Sequence, residues 1–209
     1  MSARTCQNKS ITREQLLETG MQVMLEKGYS NAGIQEILNR CDVPKGSFYY
    51  YFESKEEFAL EIINHFDREF TARVLRCLCN KQSSELSPLQ RLHAFCQCNK
   101  ESLAQSQCRK GCLVGNLSQE MADQSETLRR RLEQIMEQWR NLFAACIEEG
   151  QRIGEIKNDY NAADMAELFL SGWEGAMMRA KSTKTLEPID AFVRVMFEHV
   201  LKAKQPAAA

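Results

Sequence analysis

Apolar residues recur every three or four positions along most of this chain, the spacing that gathers them on one face of an α-helix. Leu16, Leu17, Met21, Met24 and Leu25 form the first stripe, in a helix opened by capping-box spacing from Thr12 to Gln15 and closed by Lys27-Gly28. Ile34, Ile37 and Leu38 mark a short second helix over residues 32–41. Pro44 suits a first helical turn, where its missing N–H has no partner to lose, and opens a third helix that reaches Tyr51. Ser54-Lys-Glu-Glu57 is a second capping box, starting a long helix with Phe58, Ile62, Phe66, Phe70 and Val74 in register.

The polar residues 80–87 read as a loop, and Ser87-Pro88 opens a helix to about Ser106. Residues 107–111 break the pattern, and a short helix follows from Leu113 to Ala122. Ser125 caps a long helix with Leu128, Leu132, Ile135, Met136, Trp139, Phe143 and Cys146 on one side, and residues 150–160 form a connector. Asn161 opens a helix carrying Met165, Leu168, Phe169, Gly172, Trp173, Ala176 and Met177; Pro188 opens the last, with Phe192, Val193, Met196, Phe197 and Val200. The pattern predicts an all-α fold of about nine helices, without strands or internal repeats, and a flexible tail over 204–209.

Composition narrows the class. At 209 residues, 44% hydrophobic and 26% charged, the chain can bury a real core and is neither disordered nor a small disulfide scaffold. No apolar run approaches the ~18–20 residues that span a bilayer, and MSARTCQNKS lacks the apolar stretch of a secretory signal, so the expected location is cytoplasmic, with no membrane partner. The net charge is −1, and residues 1–52 carry 6 Lys+Arg against 5 Asp+Glu, so charge alone does not announce nucleic-acid binding. Nine cysteines without an export signal suit a reducing compartment, where thiols stay free and pack as small apolar residues.

Three short N-terminal helices with a tight turn between the second and third describe a helix-turn-helix. In the third, Pro44-Lys-Gly-Ser-Phe-Tyr-Tyr-Tyr-Phe52, the four-residue spacing puts Phe48 and Phe52 on one face. Lys45 and Tyr49 share another, extended by Ser47, Tyr50 and Tyr51. One side anchors in the core while the other offers a cation and hydroxyls to phosphates and base edges, which is what a recognition helix needs. Gly46 lets the backbone come close to DNA, and Lys55 adds a cation beside the N–H groups of the next helix.

These residues resemble the TetR family of transcriptional repressors. The match runs from Gly28-Tyr29 through Ile34–Leu38 and Val43–Phe52 to Phe52-Glu-Ser-Lys-Glu-Glu57, and is specific over about 30 residues. The family's usual threonine near Ala32 and Gly33 is absent, and Gly33 and Gln35 stand at that edge of the expected DNA-contacting set. The resemblance implies a DNA-binding domain over 1–56 and a ligand-sensing, dimerising helical domain over 57–203. It implies a homodimer that leaves double-stranded operator DNA when a small-molecule inducer binds. Residues 110–123, with Ala180-Lys181 and Leu186-Glu-Pro188, resemble repressors of reductases for electrophiles such as N-ethylmaleimide and acrylate-responsive relatives.

Cys112 stands just before a helix start, where the dipole favours a thiolate, and Arg109 and Lys110 add positive charge. Reaction with an electrophile or oxidant is one reading; a buried packing cysteine beside a reversible ligand site is the other. The resemblance draws Lys181 toward Cys112, and Asn116, Trp139 and Trp173 join the candidate sensing set, although tryptophans on apolar stripes are most simply core. Trp173 and Val195 also exceed what one inward face of the last two helices requires, which points to dimerisation there. Cys77 and Cys79, like Cys96 and Cys98, are two apart on helices and point about 200° away from each other, a poor chelate. His93 and Cys96 lack a second ligand pair, so neither a metal nor a cofactor is expected. Glu120 and Asp123 read as a solvated face. A thiol enzyme using Cys112 with His93 is the rival class, but no base and orienting partner stand at recognisable positions, so no catalytic residue is expected.

Overall fold

The computed structural model describes residues 2–79 and 85–203, and the side chains of 13–79 and 85–203. The capping side chain of Thr12, Cys6, loop residues 80–84 and the tail 204–209 lie outside the described residues. Among the described residues nine α-helices follow one another: α1 Ser2–Asn31, α2 Ile34–Cys41, α3 Lys45–Tyr51, α4 Lys55–Cys79, α5 Pro88–Gln105, α6 Leu113–Met121, α7 Glu126–Arg152, α8 Ala162–Thr183 and α9 Glu187–Val195. A wider π-helical turn, Met196–Leu201, continues α9. The described residues contain no strand, only an antiparallel bridge between Ile156 and Lys202. No described helix is long and apolar enough to cross a membrane.

The expected caps explain most helix starts. Ser54 Oγ accepts from Glu57 N at 3.0 Å, Ser125 Oγ from Leu128 N at 3.2 Å, and Asn161 Oδ1 from Asp164 N at 2.8 Å. Ser87 and Gln90 make a reciprocal capping box. Several boundaries differ from the sequence expectation: α3 starts at Lys45, with Pro44 as its extended N-cap rather than in its first turn, and α6 ends at Met121 rather than Ala122. The α1 backbone is helical through Thr12 back to Ser2, because no glycine or proline interrupts it there. The second helix starts at Ile34 rather than Ala32, since Gly33 is extended (φ −76°, ψ 132°). Helix α7 reaches Arg152, two residues past Gly150, whose bare Cα lies under Ile156. The last helix starts at Glu187 and changes to π-helical geometry at Met196.

The chain forms two compact units. The first comprises Met1–Glu69 and Leu113–Gln134, so α6 and the start of α7 belong with the helix-turn-helix segment. Its core gathers Leu16, Leu17 and Met24 of α1, Ile37 and Leu38 of α2, Phe48 and Phe52, and Phe58 and Ile62 of α4, all almost fully buried. Arg131 ties α7 to α4 through Asp67 Oδ2 (2.8 Å) and Asn64 Oδ1 (2.6 Å). The second unit, Phe70–Cys112 and Ile135–Ala209, is built on an aromatic cluster. Phe95 is at its centre, with ring centroids of Phe143 at 4.9 Å, Trp173 at 5.6 Å and Phe70 at 6.0 Å. Leu168, placed on the inward stripe of α8 by its spacing, is 53% exposed. Trp173, expected as surplus for a dimer interface, is 1% exposed and belongs to this cluster.

Close helix approach in the first unit depends on Gly20. A Cβ there would fall on the buried Phe58 ring and 2.7 Å from Ile62 Cδ1. Gly175 of α8, by contrast, has no atom within 4 Å of where its Cβ would be. Gly20→Ala is therefore expected to destabilise the protein by about 1–3 kcal/mol through overpacking. Gly175→Ala should stabilise it by up to about 1 kcal/mol through helix propensity. Thermal unfolding followed by circular dichroism separates the two, and equal midpoints would contradict this packing.

Candidate functional site

The turn between α2 and α3 is made by Asp42, left-handed at φ 54°, whose N–H and that of Val43 both reach Leu38 O. Pro44 then enters α3, and Ser47 N donates to Pro44 O at 2.9 Å. The short helix is held from inside. Phe48 is fully buried, with its ring 5.1 Å from Phe58 and 5.4 Å from Phe52, and Phe52 lies 4.7 Å from Phe58. The opposite side is open, as the four-residue spacing predicts: Tyr49 and Tyr50 are 57% and 63% exposed, Lys45 and Gly46 are exposed, and Ser47 and Tyr51 are half-buried. Lys45 makes no ion pair with a described residue, whereas Lys27 and Arg40 are engaged by Glu36 and Glu26. Among the described residues nothing beyond the local backbone lies within 4 Å of a Cβ built on Gly46 or Gly33, so both leave open backbone. Gln35 is exposed beside Asn39, its Nε2 donating to Asn39 Oδ1 at 2.9 Å. Ala32, where the family threonine is missing, is fully buried. This surface joins a cation, amides, hydroxyls and bare backbone, a set suited to phosphates and base edges.

The sensing candidates divide. Trp139 is fully buried, donates from Nε1 to Thr71 Oγ1 at 3.0 Å and lies against Phe70 at 4.2 Å. Trp173 is buried with its Nε1 unpartnered. Asn116 is half-buried on α6. Lys181 lies in the last turn of α8, and burial, helped by Lys184, holds its pKa below the usual lysine range. Cys112 follows Gly111 (φ 70°), immediately before α6, and is 4% exposed. Arg109 and Lys110 are exposed, and a carboxyl, Glu174 of α8, hydrogen-bonds with Cys112. Burial raises the Glu174 pKa to about 7. Elsewhere burial pushes Cys96 upward and Cys146 up to about 12, which suits packing thiols. Cys77 of α4 meets Cys98 of α5, a pairing that the spacing within each helix does not reveal, and burial together with that contact raises the Cys77 thiol. No group of three His, Cys, Asp or Glu among the described residues could hold a metal, and His93 packs edge-on against Phe197.

Glu120 is not the solvated residue expected from its position. Its carboxylate accepts from Tyr29 N and Ser30 N, both at 2.7 Å, where Gly28 (φ 80°) turns the end of α1. Any Cβ on Gly28 would come within 2.6 Å of Glu120 Oε2. Lys55 completes the group: its Nζ donates to Ser30 O at 3.3 Å and lies 4.7 Å from the Tyr29 ring centroid. Lys55 is thus turned toward the end of α1, and burial lowers its pKa against the pull of Glu120. Burial works against ionisation of Glu120, but the Ser30 and Tyr29 N–H groups and Lys55 outweigh it and leave the pKa below the usual carboxylate range. Such a group stabilises the fold fully above its unfolded pKa, and the contribution is lost as pH falls through the folded value. Glu120→Gln should cost on the order of 1 kcal/mol at pH 7, with the gap from wild type closing below about pH 4. Chemical denaturation at pH 7 and pH 3.5 checks this; a gap that persists unchanged at pH 3.5 would refute a role for the charge.

Comparison with known proteins places these features in a family. Residues 16–62 match the family described as bacterial regulatory proteins, tetR family, and residues 88–196 match the tetracyclin repressor-like C-terminal domain. The chain is 36% identical over 202 residues to the transcriptional regulator AcuR of Cereibacter sphaeroides, covering 97% of this chain and 91% of the relative. It is 36% identical to the repressor DhaR of a Mycobacterium species, covering 92% and 94%. The repressor NemR of Escherichia coli is 31% identical over 86% of this chain and 88% of its own. Among solved structures, a regulatory protein TetR from Rhodobacter sphaeroides superposes with a TM-score of 0.85 at 38% identity, covering 89% of this chain and 97% of that one. The reduced form of Escherichia coli NemR gives 0.80 at 30% identity, covering 94% and 100%. An anchored α3 with a donor-rich outer face, set in a chain that matches the family at both ends, makes this protein a member of the TetR family of transcriptional regulators.

Proposed function

We propose that this chain is a cytoplasmic, dimeric repressor that holds double-stranded operator DNA through α2 and α3. It releases the DNA when a small molecule, foremost an electrophile that modifies Cys112, acts on its C-terminal helices. The observation that carries the DNA-binding reading is the two-sided α3, with Phe48 fully buried and Tyr49 57% exposed. Lys45, Ser47, Tyr49, Tyr50 and Tyr51 supply contacts to phosphates and bases; Gly33 and Gly46 admit close backbone approach; Gln35 and Lys55 flank them. In this reading residues 1–56 bind DNA and 57–203 sense and dimerise, with no catalytic role.

Exposed apolar residues of α8 and α9 support the dimer. Leu168 and Met178 fall on one side of α8 and are 53% and 58% exposed. Val195 of α9 is 49% exposed. Large apolar groups left exposed on these two helices suit packing against a second copy. Two chains double a modest set of phosphate contacts, which reconciles DNA binding with a net charge of −1. For release, a differential affinity of about 2.7 kcal/mol between the two states gives a hundredfold loss of binding. Relatives named as repressors support the direction of control, and NemR, solved in a form called reduced, supports a thiol in the sensing step.

The test is a mobility shift with a labelled duplex from the region upstream of the gene. The complex should contain two chains. Lys45→Ala and Tyr49→Ala should each weaken it by about 1–3 kcal/mol with an unchanged circular-dichroism spectrum. Wild-type affinity in both variants would remove α3 from the interface. A limiting dose of N-ethylmaleimide should release wild type and leave Cys112→Ser bound; equal release of both makes a reversible ligand the inducer instead.

A further inference from the structure

The carboxyl of Glu174 has no evident structural duty. The residue keeps some surface exposure, but its Oε1 is buried and has no hydrogen-bond partner. An unpaired buried carboxyl oxygen costs free energy that an apolar side chain at the same place would not. The carboxyl also hydrogen-bonds the Cys112 thiol, at the turn made by Gly111 before α6. A neighbouring carboxylate opposes a free thiolate, so the arrangement does not work by stabilising negative sulfur as Arg109 and Lys110 would. It provides instead a place for the thiol proton to go.

We propose that Glu174 is the proton acceptor that activates Cys112, and that the site takes neutral α,β-unsaturated carbonyl compounds in preference to carboxylate-bearing ones. The inference rests on the reading of Cys112 as the modified residue. In the step, the Cys112 sulfur adds to the β-carbon of the electrophile. The S–H bond and the C=C π bond break, and an S–C bond forms. The proton passes to Glu174 and from there to the α-carbon, which restores the carboxylate. No oxidant or further reactant is needed. A ligand with its own carboxylate meets Glu174 as a like charge in a site of low polarity. Burial supports the role by placing the Glu174 pKa at about 7, where the group can both take and return a proton near neutrality. Cys112 is the titratable group that acts on it, and Lys181 stands seven residues further along α8, about 10.5 Å away by helix rise.

The experiment measures adduct formation at Cys112 in the full-length protein by peptide mapping between pH 5 and 9. The probes are acrylamide and acrylate, each normalised to its rate with glutathione. In wild type the acrylamide rate should rise with a midpoint near pH 7, since the reactive form needs Glu174 ionised. Glu174→Gln should lower the rate at pH 7.5 about tenfold or more and move the rise to higher pH. Glu174→Asp, which retains an acid, should keep a rise near neutrality and guards against a Gln variant that does not fold. Acrylate should be disfavoured at least about tenfold beyond the glutathione ratio in wild type, and less so in Glu174→Gln. If Cys112 is modified and DNA is released with the same rate and pH profile in wild type and Glu174→Gln, the sensing reading stands and this inference is overturned. If Cys112 is not modified at all, both fall.

Discussion

Everything this protein offers to DNA depends on the burial of Phe48. Helix α3 is only 7 residues long, far below the length at which a helix holds itself in water. It contains a glycine and carries three consecutive tyrosines, none of which favours an isolated helix. Its stability comes from outside, through the contact of Phe48 and Phe52 with each other and with Phe58. That contact sets the rotation of α3 about its axis, and so decides that Lys45, Gly46 and Tyr49 face outward together. Gly20 is part of the same constraint, because it clears the space into which Phe58 fits.

The electrostatics follow from this geometry more than from composition. A net charge of −1 offers no general attraction for a polyanion. Around the helix-turn-helix, Lys27 and Arg40 are neutralised locally by Glu26 and Glu36, while Lys45 is left to the outer face of α3. Glu120 places a carboxylate from α6 on the backbone N–H groups that Gly28 frees at the end of α1, and Lys55 balances it. Displacement of α6 would therefore break two charge-assisted hydrogen bonds at the entrance to the DNA-binding helices.

The cysteines show how burial separates residues of one type. Burial raises the pKa of Cys96 and Cys146 and keeps the thiol protonated. Cys112 is as buried by area, and it hydrogen-bonds with a carboxyl, Glu174, where the Cys146 thiol donates to the backbone carbonyl of Pro88. The chemistry of a thiol depends on which group can take its proton, and that distinction is invisible to exposure alone.

The helices, most of their starts and the two-sided character of α3 were legible in the linear sequence because the interactions responsible span four residues or fewer. Ser54, Ser87, Ser125 and Asn161 cap by reaching N–H groups three positions on. Phe48 and Phe52 share a face by helical repeat alone. Only the tertiary structure decided which apolar residues were left outside, since Leu168 and Phe169 sit next to each other in one stripe and yet are 53% and 0% exposed. It also decided the pairings of Glu120 with Tyr29, Trp139 with Thr71, Cys77 with Cys98, and Cys112 with Glu174. These partners are tens of residues apart and carry no local spacing signal. They meet because helices pack on their apolar faces, and the polar atoms beside those faces are then matched, or left unmatched, by whatever the packing brings near.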